Sequence, residues 1–378
     1  MIDIKIMKKT VILLMSVMLM GCSTEKTPTD LFQESKSGVV LILNSFYYAM
    51  ALPGESPLYF TGVDENGQLE NMTTDLAEIK ANTQTIYGTG FFVDKQGTIM
   101  TNRHVAQPEI DKQAVKSGLD NFLSDIRSLY QARMNELSNE YDSLEAEKQN
   151  CSYRDEFGNI YQDNDKFQQI VSQQNDLQTS FNQLGEEMNQ LNGNVSIDDI
   201  KIVPVCKIGI AYDNTYVTSE SDFLDKNPCV VTRVSQDEGT DLALLQLKNK
   251  TTPETSYVFP WEEEDNESFF ARLGEKFSEK KDKGLQIDQQ LYMIGYNAGP
   301  LLASTKQGIS VQMTSGKLTQ MPDGDRLLYS IPTVAGSSGS PVIDSSGNLV
   351  AVNFAKLALD NNFNFGIPIE KIRKFMKQ

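Results

Sequence analysis

A chain of 378 residues is too long for one small hydrophobic core and points to two or three structural units. Apolar residues make up 39% and charged residues 22%, which excludes an intrinsically disordered chain. The formal charge of −17 repels nucleic acid and anionic lipid, so neither is expected as a direct partner, and the charge is read chiefly as a solubilising surface.

The N-terminus reads as an export signal. Lys5, Lys8 and Lys9 precede an apolar run from Val11 to Met20 that is too short to span a bilayer, and Met7 offers an alternative start. The run ends in Leu19-Met20-Gly21-Cys22. This resembles the bacterial lipobox, whose cysteine is acylated and becomes the new N-terminus. Residues 1–21 are therefore expected to be removed and Cys22 to carry lipid, holding the protein in the cell envelope without a transmembrane helix. Residues 22–36 read as a polar tether.

Val39-Val40-Leu41-Ile42-Leu43 is a short apolar run and predicts a buried strand. Residues 46–85 are a polar excursion to which no element is assigned. Tyr87 to Val93, the turn Asp94-Lys95-Gln96-Gly97, and Thr98 to Thr101 then read as strand, turn, strand. From Lys112 to Lys148 the period changes. Val115, Leu119, Phe122, Ile126, Leu129, Leu137, Tyr141 and Leu144 recur at steps of three and four, with gaps. Phe167, Ile170, Leu177, Phe181, Leu184, Met188 and Leu191 do the same, with Gln174 in the one skipped position. The polar stretch between them contains Gly158 as a breaker. Two long antiparallel helices in a hairpin are expected, the longer extending on the order of 50 Å at ~1.5 Å per residue. Neither carries a metal-ligating or acid–base constellation. The hairpin packs on itself, or it serves as a docking or self-association arm.

Strand signals resume at Lys201 to Tyr212, Cys229 to Val234 and Leu242 to Leu247. The charged segment from Glu262 to Lys283 reads as a connection between two domains. Short strands with glycine turns follow to Pro368, then a short basic helix from Glu370 to Gln378. Many short strands of this kind predict a mainly β protein built as a sandwich or barrel. With Cys22 lipidated, Cys151, Cys206 and Cys229 remain. Cys206 and Cys229 lie near strands of one barrel, and outside the cytoplasm a disulfide between them is permitted. Thiols without a histidine cluster do not make a zinc site, so no metal is expected.

Three stretches carry chemistry. His104, the only histidine, stands in Thr101-Asn102-Arg103-His104 directly after a strand hairpin. Asp241 stands in Gly239-Thr240-Asp241-Leu242, ahead of an apolar strand. Ser338 stands in Gly336-Ser337-Ser338-Gly339-Ser340-Pro341, where glycines permit a tight turn. The order His, Asp, Ser is that of the chymotrypsin-type enzymes. These segments resemble trypsin-like serine proteases, most closely the bacterial HtrA/Deg branch. Gly88-Thr89-Gly90-Phe91-Phe92-Val93, Tyr292-Met293-Ile294-Gly295-Tyr296, Gly308 to Val311, Gly316 to Leu318, Gly347 to Asn353 and Phe365 to Ile372 carry the resemblance.

The resemblance implies two six-stranded β-barrels of the chymotrypsin type, with the helical hairpin inserted in the first. Residues 37–107 and 199–260 would form the first barrel, 108–198 the insertion, 261–285 the connection, and 286–378 the second barrel with its C-terminal helix. The PDZ domains of the branch have no counterpart in this sequence. It implies peptide-bond hydrolysis with a polypeptide substrate and no cofactor. Ser338 is the nucleophile, His104 the base and Asp241 its orienting acid. The backbone N–H groups of Gly336 and Ser338 form the oxyanion hole. Activity is expected to rise with pH as an imidazole loses its proton, near 6.5 for a free histidine side chain. Ser340 stands where the branch has glycine, and Ser337 where trypsin has aspartate. Pro332, at the position expected to floor the S1 pocket, offers no carboxylate, which implies a small or apolar P1 residue. Val352, Asn353 and Phe354 are expected to line the edge to which extended substrate adds. The competing readings are a catalytically idle scaffold that binds a partner through its hairpin, and, more remotely, an esterase using the same nucleophile.

Overall fold

In strand β1 (Val39–Ala51) the apolar run is continuous because both faces are buried. Val40 and Ile42 point into a core with Phe92, Ile99, Val105, Ile208, Ala243 and Leu245. Val39, Leu41 and Leu43 point the other way, into a core shared with Phe91, Met100, Leu244, Ile294, Tyr296 and Val352. This alternation, period two along each strand, organises the computed structural model. It describes residues 26–51, 56–190, 200–237, 239–262, 285–356 and 364–378. The expected export signal, Cys22 and residues 263–284 of the expected connection lie outside the described residues.

The chain divides into two units, one of residues 1–45, 85–108 and 206–378 and one of residues 46–84 and 109–205. The first holds both barrels. In the first barrel β1 pairs with β3 (Gln84–Phe92), then β4 (Thr98–Thr101), β7 (Ala243–Leu247), β6 (Pro228–Val234) and β5 (Lys201–Tyr212), and a β1–β5 pairing closes the ring. A short β2 (Leu58–Phe60) adds to the far end of β1, Tyr48 opposite Phe60. The second barrel is closed in the order β8 (Gln290–Gly295), β9 (Gln312–Gln320), β10 (Leu327–Tyr329), β13 (Asn364–Pro368), β12 (Leu349–Lys356), β11 (Pro341–Asp344). Its interior is Leu291, Met293, Leu318, Leu327, Tyr329, Val342 and Ala351. The fold is thus the expected pair of six-stranded barrels, and each fully buried Phe or Leu in them contributes about 1.5–3 kcal/mol.

Helices α1 (Pro28–Ser35) and α2 (Leu76–Ala81) precede the barrel strands β1 and β3 respectively. Helix α3 (Arg103–Ala106) is a single turn after β4. Helices α4 (Lys112–Gln149) and α5 (Asn164–Gln190) form the predicted hairpin. Asp111 caps α4 by accepting from the N–H groups of Gln113 and Ala114. Between the barrels' strands lie α6 (Ser221–Leu224) and α7 (Pro300–Ala303), and α8 (Ile369–Met376) closes the chain. Among the described residues no helix is long and apolar enough to cross a membrane.

The structure revises the expected boundaries. The excursion after Ser45 belongs with the hairpin rather than with the first barrel. Its turn at Gly67 meets α4 so closely that a Cβ on Gly118 would lie 2.8 Å from the Gly67 carbonyl oxygen. In the hairpin seam Gln174 is 4% exposed, accepts from Lys148 Nζ at 3.0 Å and donates to Glu145 Oε2 at 3.0 Å. The skipped apolar position is therefore a satisfied polar one.

Cys206 and Cys229 do not form the disulfide that their strand positions permitted; both are free, as is Cys151. The register explains why. Cys229 stands opposite Ile208, so Cys206 is offset by two residues. Such diagonal neighbours are about 7–8 Å apart, beyond the usual Cα range of a disulfide, about 4.4–6.8 Å. Burial pushes the Cys229 thiol up to about 12, and burial raises that of Cys206 as well. Native protein at pH 8 should therefore leave Cys229 unlabelled by iodoacetamide, while urea-unfolded protein labels fully. Because the unfolded chain ionises these thiols first, stability should fall as pH rises above about 9. Chemical denaturation at pH 8 and pH 10 measures this, and Cys229→Ala should flatten the difference.

Candidate active site

Every residue in the segment that ends at His104 is committed to a hydrogen bond. Thr101 Oγ1 donates to the Thr89 carbonyl at 2.8 Å, Asn102 Nδ2 to the Asp241 carbonyl at 2.8 Å, and Arg103 Nη1 to the Ser235 carbonyl at 3.2 Å. The one-turn helix α3 exposes its last carbonyls to the barrel interior, where they need partners. Asn44 supplies them, donating to the carbonyls of Val105 at 2.9 Å and Ala106 at 3.2 Å. His104 is thereby fixed between a strand end and a capped helical turn.

Asp241 lies between a tight turn and β7. Asp237 accepts from the Gly239 N–H at 3.1 Å and from Thr240 Oγ1 at 2.7 Å, and the Thr240 bond is the main reason its carboxyl titrates below the usual range. The Asp241 carboxylate meets His104 twice. Oδ1 accepts from the His104 backbone N–H at 3.0 Å, and Oδ2 lies 2.6 Å from Nδ1. A carboxylate on Nδ1 holds the proton there and leaves Nε2 as the free acceptor. The histidine side chain is 38% exposed and the aspartate 21%, so the pair opens to solvent on the imidazole side.

The serine loop is docked on the first barrel by Thr89, which is fully buried. The Thr89 N–H donates to the Ser338 carbonyl at 2.8 Å, and its Oγ1 donates to the Gly336 carbonyl at 2.8 Å. The same Oγ1 accepts from the Tyr296 N–H at 3.0 Å. Gly336 has φ +92° and Gly339 φ +87°, where a side chain is strained. A Cβ on Gly339 would lie 2.1 Å from the Thr89 oxygen and 3.2 Å from the Asn102 nitrogen, so Ser338's neighbour abuts the segment that carries His104. Within the loop the Ser337 N–H and Oγ both donate to the Val334 carbonyl, at 3.0 and 2.7 Å.

The expected substrate edge is corrected. Strand β12 is paired on both sides, Val352 with Pro341 of β11 and with Ile367 of β13. Asn353 is 2% exposed and its main chain is used: its N–H donates to the Ser340 carbonyl at 2.9 Å and its carbonyl accepts from Gly339 at 2.8 Å. Val352 and Asn353 therefore present no free edge. Instead Asn353 Nδ2 holds the Ser337 carbonyl at 3.0 Å, while the Tyr329 hydroxyl, whose pKa burial raises, donates to Asn353 Oδ1 at 2.7 Å. Phe354, half-buried at a bulge in β12, faces the Phe365 ring with centroids 6.2 Å apart. Pro332 is exposed rather than the floor of a closed pocket. Thr89, Asn44 and the clamping role of Asn353 were not read from the sequence. A polar residue inside an otherwise buried strand was the available signal.

Ser340 is fully buried, and its Oγ has no hydrogen-bond partner among the described residues. It occupies the space over Gly295, where a Cβ would lie 2.0 Å from that oxygen. Ser340 is thus accommodated by a glycine on β8.

Comparison with known proteins follows this geometry. Residues 207–352 match the model of the trypsin-like peptidase domain. No curated protein matches the sequence. Among solved structures, the chain is similar to the serine endoprotease from Yersinia pestis at 12% identity and TM-score 0.40, covering 93% of this chain and 66% of that one. It is also similar to Deg5, at 15% identity and TM-score 0.37, covering 92% of this chain and 90% of that one.

Thr89→Val removes a buried donor and acceptor and should cost about 1–3 kcal/mol in a chemical denaturation curve, with Thr89→Ser close to wild type. Gly295→Ala should cost a similar amount, about 1–3 kcal/mol by overpacking. Combining it with Ser340→Gly should restore most of the loss, and a double-mutant cycle in the melting curves measures the coupling.

Proposed function

We propose that this chain, whose residues 207–352 match the trypsin-like peptidase domain, is a serine endopeptidase: Ser338 attacks the scissile carbonyl, His104 takes its proton, and Asp241 holds the imidazole. The observation that carries this assignment is the 2.6 Å contact between Asp241 Oδ2 and His104 Nδ1. It leaves Nε2 to accept the Ser338 proton and to return it to the leaving amine, while the carboxylate stabilises the imidazolium in between. The tetrahedral oxyanion is received by the N–H groups of Gly336 and Ser338, each such donor being worth about 3–4 kcal/mol in the transition state. Water, activated by the same imidazole, then releases the acyl-enzyme.

The substrate is a polypeptide with a small or apolar residue at P1. Support comes from the buried polar groups that flank Pro332 and the last strand: Thr333 Oγ1 donates to Asn364 Oδ1 at 2.5 Å and Asn364 Nδ2 to the Ile331 carbonyl at 2.6 Å. These buried groups satisfy one another and provide no carboxylate for Lys or Arg. With lipid on Cys22 the enzyme acts in the cell envelope, at a membrane it does not span. The competing scaffold reading draws on the hairpin, whose tip exposes Tyr153, Phe157, Ile160 and Tyr161.

A fluorophosphonate probe decides between enzyme and scaffold. The enzyme should label on Ser338 and cleave unstructured protein, and Ser338→Ala should lose both. A folded wild-type protein that does neither is the scaffold. Asp241→Asn should lower kcat by about 10⁴-fold, read on a peptide substrate. Peptide-library cleavage dominated by Arg or Lys at P1 contradicts the pocket assignment. Release from membranes by Cys22→Ala, with mass spectrometry of the N-terminus, tests the lipid.

A further inference from the structure

We infer that Lys371, on the C-terminal helix α8, is a positioning residue for the Asp241 carboxylate and acts through Thr240. Its side chain is 14% exposed, and its ammonium meets three acceptors. Nζ lies 2.6 Å from Asp325 Oδ1, donates to Thr240 Oγ1 at 3.1 Å, and lies 3.5 Å from Asp237 Oδ2. An ammonium has three donors, and all are accounted for here. A largely buried ammonium needs such partners, because burial without them disfavours its charge.

The cluster is placed where it fixes the acid. Thr240 is 5% exposed, and its hydroxyl accepts from Lys371 while donating to Asp237 Oδ2 at 2.7 Å. Its N–H donates to the Asp237 carbonyl at 2.9 Å, and its own carbonyl accepts from Leu242 at 2.9 Å. The residues on both sides of Asp241 are thereby held, and the Asp241 carbonyl is held separately by Asn102. Lys371 itself stands on a fixed support. Ile369, Ile372 and Phe375 bury one face of α8, Arg233 Nη1 donates to the carbonyls of Phe375 at 2.8 Å and Met376 at 3.3 Å, and Arg373 Nε donates to Trp261 O at 3.0 Å. Asp325 belongs to the β9–β10 turn of the second barrel, and Asp237 and Thr240 to the first. One side chain thus references the catalytic acid of the first barrel to the helix and turn of the second.

The assignment rests on the triad for its catalytic consequence, but the positioning is measurable without catalysis. His104 is the only histidine, so ¹⁵N-histidine labelling gives one set of ring resonances without assignment. The wild type should show a sharp low-field Nδ1 proton. Lys371→Met should broaden or erase it, lower kcat by about ten- to a hundredfold, and leave KM within about twofold; Lys371→Arg should restore most of both. Should Lys371→Met fail to fold, Thr240→Val removes the hydroxyl link while leaving the ammonium its two carboxylates, and the same loss is expected. An unchanged resonance and kcat in a folded Lys371→Met or Thr240→Val protein overturns the proposal while the triad stands. A resonance that responds in a protein without peptidase activity upholds the positioning and sinks the catalytic reading instead.

Discussion

The site depends on how one threonine joins the two barrels. Thr89 is fully buried on β3, and all of its polar groups bond to segments that carry or support the candidate triad. Its N–H and hydroxyl hold the carbonyls of Ser338 and Gly336, its carbonyl takes Thr101, and its hydroxyl oxygen takes Tyr296. Individually each bond is modest, about 0.5–1.5 kcal/mol net, but leaving any of these groups unpaired costs about 1–3 kcal/mol. A slid or rotated second barrel would break several at once. Catalytic groups need placement to about 0.5 Å, and burial alone, which is non-directional, does not provide it.

The same device recurs around the site with asparagine. Asn44 caps the turn bearing His104, Asn102 holds the Asp241 carbonyl, and Asn353 holds the Ser337 carbonyl. All three are buried. Each side chain spans from one element to the backbone of another. Asn353 is bonded through both its Nδ2 and its Oδ1, and a satisfied buried link of this kind rigidifies one arrangement. The apolar cores keep the barrels folded, and the carboxamides and Thr89 set where the loops stop.

Much of this was legible in the sequence for a physical reason. Strands buried on both faces show as continuous apolar runs, helices as heptads, and the three stretches of the candidate site as polar clusters next to glycine and strand signals. What escaped is equally physical. The apolar run predicts β1 only as far as Leu43, because Asn44 and Ser45 look like surface residues; they are buried, and the Asn44 amide nitrogen donates to the end of α3. The segment after it carries only short strands and a six-residue helix, too brief for any period to show. Asn353 was read as an edge because the pairing of β12 on two sides is a long-range fact. The offset of Cys206 from Cys229 is a matter of register, which local pattern does not fix. Lys371 lies 131 residues from Thr240 in the loop it grips.

The central claim is that a hydroxyl from the second barrel is delivered to an imidazole and a carboxylate from the first. A crystal structure of the protein after reaction with a peptidyl phosphonate tests it most directly. The account predicts phosphorus bonded to Ser338 Oγ, a phosphoryl oxygen facing the N–H groups of Gly336 and Ser338, and His104 Nε2 within hydrogen-bond distance of the adduct. Phosphorus on another residue, or an adduct on Ser338 with His104 turned away from it and unpaired from Asp241, would contradict it.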